Sequence, residues 1–151
     1  NASGLKTVAL LKGDATHDQF LNYLKCPNLR GSFYDGDANK QIIKTADGAI
    51  SYVEIQRELA NQFQYQSSHV WVACEAFLDP FKSTLLVNAG AKKYAAGINK
   101  LIVGPSDKTA VCALKGAFAS QPMTAAFKEC YNKLDDKRDQ WGFEGAGSDY
   151  F

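Results

Sequence analysis

Apolar and polar positions along this chain change period several times, and the changes mark the elements. After a short apolar run at Lys6–Lys12, Gly13-Asp14 breaks the pattern. HDQFLNYLKC then places Phe20, Leu21 and Leu24 at helical spacing, with Thr16 positioned to cap the first turn and Pro27 to end the helix. SFY and KQIIK, separated by Asp35-Gly36-Asp37-Ala38-Asn39, predict a hairpin within residues 31–46. ISYVEIQRELANQFQYQ returns to helical period through Ile50, Val53, Ile55, Leu59 and Phe63, and Ser51 with Glu54 makes a capping box.

The second half reads as a run of strands. HVWVACEAFL alternates around Val70, Val72 and Cys74 until Asp79-Pro80 breaks it, and STLLVNAG predicts a second strand. INKLIV and AVCAL flank the turn-forming GPSDKT and predict a hairpin that supplies the third and fourth. In PMTAAFKECYNKLDDKRDQW, Phe127, Cys130, Tyr131, Leu134 and Trp141 recur at helical steps, so a closing amphipathic helix is expected. Residues 142–151 are Gly-rich and predict a loose tail. Strands in a run, rather than alternating with helices, predict an α+β fold. The expected architecture is an antiparallel four-stranded sheet packed by a central helix, preceded by a hairpin, with extra helices at both ends. Its 151 residues predict one domain with a core at about 31–141.

Composition narrows the function classes. With 46% apolar and 22% charged residues the chain has an ordinary globular composition. A formal net charge of +1 argues against a surface dedicated to coating nucleic acid. No apolar run is long enough to cross a membrane, and no membrane partner is expected. The chain opens at Asn1 without a methionine, the expected trace of an upstream segment, either a signal peptide or an expression tag.

Cys26, Cys74, Cys112 and Cys130 form no CxxC and have no nearby His, so zinc is not expected. An even number of cysteines spread through a small domain predicts two disulfides, with three connectivities open, and hence a compartment outside the cytosol. Asp47–Glu54 matches only the second half of a calcium loop. Ile43 and Thr45 stand where its leading carboxylates would be, and a turn with a capping box explains the stretch. No metal and no cofactor is therefore expected.

Candidate chemistry gathers between residues 67 and 115. His69 opens a strand beside Ser67 and Ser68, and Glu75 interrupts its apolar run, which is costly unless the carboxylate is paired or solvated. With Lys100 and Lys115 on neighbouring strands, His69 and Glu75 would form a polar sheet face able to accept phosphate or a partner. Cross-strand ion pairing on a solvated face is the blander account. His17 is expected to face solvent. No catalytic motif is present.

The layout resembles the small fungal guanyl-specific ribonucleases of the N1/T1 type and the catalytically dead ribonuclease-like effectors secreted by plant-pathogenic fungi. The similarity covers about residues 31–130. Glu75 in CEAFL sits where the family has its general base, and Lys100 in INKLIV where it has an Arg. CALKGAF looks like the strand that carries the acid His, and Phe127-Lys128-Glu129-Cys130 is similar to the closing Phe-x-x-Cys segment. The acid His falls at Leu114 or Lys115, the Arg fork is lost at Lys100, and the chain runs on past Cys130.

The resemblance therefore implies a scaffold without ribonuclease catalysis, bridged Cys26–Cys130 and Cys74–Cys112. It implies a monomeric, secreted virulence effector that binds a host protein or RNA and can be delivered into host cells. The competing expectation is an NTF2-like ligand-binding protein or enzyme. There Trp71, Phe77, Phe118 and Trp141 would line a pocket around His69 and Glu75.

Overall fold

The computed structural model describes residues 8–10, 12–63, 67–102, 104–118, 122–133 and 140–145. Two local signals place the first helices. Thr16 Oγ1 accepts from the Gln19 amide (3.4 Å) and opens α1, His17–Leu24. Ser51 Oγ accepts from the Glu54 amide (3.2 Å) and opens α2, Tyr52–Glu58. Between them lie β1, Gly31–Asp35, and an antiparallel hairpin of β2, Ile42–Thr45, with β3, Gly48–Ser51. The expected hairpin is thus shifted: IIK pairs forward across Ala46-Asp47, whereas SFY joins a different sheet.

That sheet contains β4 (Ser68–Val72), β5 (Lys93–Gly97) and β6 (Trp141–Gly145) in the order β1-β4-β5-β6. β1 and β5 both run parallel to β4, and β6 is antiparallel to β5. The fold is α+β, but the sheet is mixed rather than antiparallel throughout. The reason lies in the connections. β2, β3 and α2 occupy the crossover from β1 to β4, and helical turns occupy the one from β4 to β5; each returns the chain to the same end of the sheet.

STLLVNAG, expected as a strand, is α3 (Phe81–Ser83) continued by a π-helical stretch, Thr84–Asn88. Phe81, Thr84, Leu85 and Ala89 are buried at helical intervals, and Asp79 accepts from the Ser83 amide (3.2 Å) at the start. AVCAL is not a strand either. It lies inside α4, Pro105–Phe118, while Lys100–Ile102 of INKLIV are irregular. The residues read as a turn start the helix: Pro105 takes the first helical position, and Asp107 Oδ2 reaches back to the Gly104 amide (3.3 Å).

α5, Met123–Asn132, follows α4; Leu134 lies outside the described residues. Trp141, expected in that helix, opens β6, and the first residues of the expected tail pair with β5 as a strand.

Each face of the sheet carries its own core. On one, Tyr34, Trp71 and Tyr94 pack with Ile43, Ile50, Ile55, Leu59, Phe81 and Leu85 beneath α1, α2 and the hairpin. On the other, Val70, Val72 and Ala95 meet Ala110, Ala113, Ala126 and Phe127 of α4 and α5. Small residues on α4 let it lie close to the strands.

Candidate functional site

His69 is wholly buried on β4. Its Nδ1 lies 2.7 Å from Ser32 Oγ on β1 and its Nε2 lies 3.1 Å from Ser67 Oγ. Ser32 Oγ also accepts from Trp71 Nε1 at 3.0 Å. These contacts are all used when Ser32 donates to Nδ1 and Nε2–H donates to Ser67. Phe63 covers the ring at a centroid distance of 4.4 Å. Burial among these groups pushes the imidazole down to about 3, so it is neutral at ordinary pH. This is a saturated internal network that ties β1, β4 and the chain before β4 together.

The four residues expected to share a polar sheet face do not converge. His69 stands near the amino end of β4 and points into the core. Glu75 lies beyond the carboxyl end, in a left-handed conformation (φ 56°), with its amide donating to the Asn99 carbonyl (3.2 Å). That bond brings the turn at Glu75 beside the loop holding Lys100, which is exposed. Lys115 is on α4, on the opposite face from the His69 network. The apolar pocket is not assembled from its expected residues. Trp71 and Phe77 belong to one core and Trp141 to the other, and the side chain of Phe118 lies outside the described residues.

The disulfide pairing also differs. Cys112 of α4 bonds Cys130 of α5, and Cys26 and Cys74 are free thiols. Because Cys112 is helical rather than on a strand, it faces the neighbouring helix. Cys74 sits at the sheet's carboxyl edge, where its Sγ accepts from the Leu101 amide (3.3 Å). Cys26 follows α1 and is exposed.

A more open polar arrangement lies between α1 and α2. His17, Asp18, Leu21, Asn22, Lys25, Glu54 and Glu58 line a groove of about 260 Å³. His17 was expected simply to face solvent; instead its ring is held at both nitrogens. Nδ1 meets Asp18 and Nε2 meets Glu54, each at 2.8 Å, and Asp47 accepts from the His17 amide at 2.7 Å. Hydrogen bonds to Asp18 and then Glu54 raise the imidazole above its ordinary value, while the His17 amide holds the Asp47 carboxyl low.

Along the groove Lys25 pairs with Glu58 (2.6 Å), which also receives Arg57 (2.9 Å), and both cations hold the Glu58 carboxyl low. The signal for this site was Glu54 itself. A capping-box acid one turn inside α2 points along the helix start, but its partner His17 is distant in sequence.

Chemically this groove presents ion-paired side chains. A general base needs a free ring nitrogen, and His17 has neither free. Among the described residues no group of three or more His, Cys, Asp or Glu side chains is placed to hold a metal ion. None of their helices is long and apolar enough to cross a membrane. No protein-family model, curated protein or solved structure matches the chain.

Proposed function

We propose that this chain is a secreted, non-enzymatic binding protein whose partner is another protein, with RNA as the less favoured target. The observation that carries the reading is the commitment of both imidazoles to structure. His69 is a buried, neutral bridge between two serines, and His17 is clamped between two carboxylates. Neither is free to exchange a proton with a substrate. Lys100 and Lys115 lie on different elements, and Asp18, Glu54 and Glu58 line the groove, which favours a partial positive charge over a phosphate. The Cys112–Cys130 bridge is compatible with an oxidising, extracellular compartment. In the effector form of this reading, the partner is a host protein met outside or inside the host cell.

Two measurements on one unreduced preparation test the reading. Mass spectrometry should find one bridge and two free thiols, and incubation with single-stranded RNA should leave it intact. Four free thiols would remove secretion into an oxidising space. RNA cleavage that disappears in a His17→Gln or His69→Gln variant would remove the non-catalytic assignment.

A further inference from the structure

Among the described residues β1 ends the sheet and pairs with β4 alone. The Arg30 carbonyl and the Gly36 amide, which flank β1, both bond to the β4 side. In a parallel ladder the alternation then turns the N–H and C=O groups of Gly31, Phe33 and Asp35 outward. No hydrogen bond to these outward groups occurs among the described residues. An open edge of this kind is a template for another strand.

Its side chains make the template selective. Tyr34 faces the core beneath the hairpin, so Phe33 and Asp35 face the side of α4. Phe33 is 44% exposed, and Val111 of α4 is 46% exposed. Asp35 lies close enough to Asp107, one helical turn before Val111, for the two carboxylates to repel. Burial first, and that repulsion second, raise the Asp35 carboxyl above its ordinary value. No ion pair or hydrogen bond to the Asp35 side chain occurs among the described residues. Phe33 and Asp35 stand two residues apart along the strand, and Asp107 and Val111 one turn apart along the helix.

We propose that the β1 edge binds an extended segment of a partner protein by strand addition, the segment carrying Arg or Lys two residues from an apolar side chain. The apolar residue covers Phe33 and Val111, and the cation sits between Asp35 and Asp107. A neutral or acidic strand meets the same backbone groups with an unfavourable charge, so the edge discriminates by charge as well as shape. The proposal rests on the protein-binding reading and adds where the partner docks and what chemistry it offers.

The probe is an acetylated, amidated peptide of sequence TRTVTRT, whose Arg-Val-Arg face matches the row in either strand direction. Added to isotope-labelled protein, it is expected to shift the Gly31, Phe33 and Asp35 amides and to protect them from hydrogen exchange. Asp35→Lys, an exposed change, should weaken binding by about tenfold or more and abolish the preference over TETVTET. The same spectra verify that the variant is folded.

The proposal is overturned if millimolar TRTVTRT leaves those amides unmoved, if TETVTET binds equally well, or if Asp35→Lys binds TRTVTRT unchanged. It is likewise overturned if the shifts track protein concentration alone, which would identify the occupant as a second copy of the chain. RNA cleavage with peptide binding retained would instead overturn the non-catalytic assignment and support the edge as a docking site.

Discussion

Acidification provides a quantitative test of the His69 network. Its imidazole is held down to about 3 by burial, against an ordinary value of 6.5. Between those two values the unfolded chain binds a proton at His69 that the folded chain refuses, so stability falls as pH falls. The slope approaches about 1.4 kcal/mol per pH unit, which makes the loss about 2 kcal/mol between about pH 7 and about pH 5. That is a substantial part of the roughly 5–15 kcal/mol that holds a domain folded.

His17 acts in the other direction but in another window. Its folded value is raised, so its contribution is fully present below 6.5 and is lost as pH rises through the folded value. It therefore adds no slope at the acid end. Asp47 and Glu58, held low by their partners, contribute stability that is lost only as pH falls through the carboxylate range. Asp35, held high, gives a gain on acidification and is common to both proteins in the comparison below.

The assay is urea unfolding followed by tryptophan fluorescence at several pH values, on the native chain and on His69→Gln. The native chain should lose stability steeply toward acid. The variant, less stable at neutral pH, should lose about 2 kcal/mol less over the same interval. Equal slopes in the two proteins would refute the assignment of His69 as a buried neutral group, as would a flat native profile.

The packing sets the remaining expected outcomes. Ser32→Ala leaves Trp71 Nε1 and His69 Nδ1 without their shared partner, and should cost about 1–3 kcal/mol in urea unfolding with little change of fold. Gly142→Ala drives a methyl group into the ring of Phe77, which stacks on Tyr94, and should cost about 1–3 kcal/mol by the same measurement. Adding Phe77→Leu to that variant should recover part of the loss. Reduction of Cys112–Cys130 opens a loop with a sequence separation of 18 and should cost about 3 kcal/mol, read as a lower urea midpoint in dithiothreitol. In the unreduced protein, alkylation should reach Cys26 faster than the partly buried Cys74.

What could be read from the sequence was what is written locally. The Thr16 cap, the Ser51 cap on the Glu54 amide and the span of α1 depend on residues within one turn of each other, and they stand where the pattern placed them, although the Glu54 carboxylate meets His17. The candidate site was less legible because its contacts are long-range. His69 attracted attention as one of two histidines, but its partner Ser32 lies 37 residues away and gives no sign in the intervening sequence. His17 and Glu54 are likewise 37 residues apart.

The sheet was misread for a physical reason that concerns its centre. β5 is KYAAG, with every residue buried, because helices cover both of its faces. A strand covered on both sides loses the alternation that identifies strands, and its alanines give no β-propensity signal. The helix beside it was hidden by the same demand for close approach. Ser106, Thr109, Ala110 and Ala113 are small so that α4 can lie against β4, which leaves AVCAL looking like a short apolar strand. Pro105 and Asp107 could have settled that choice, since a proline at the first helical position with an acid in the first turn signals a helix start. An element packed from two sides is therefore the hardest to recognise by its own pattern and the easiest to recognise by its ends.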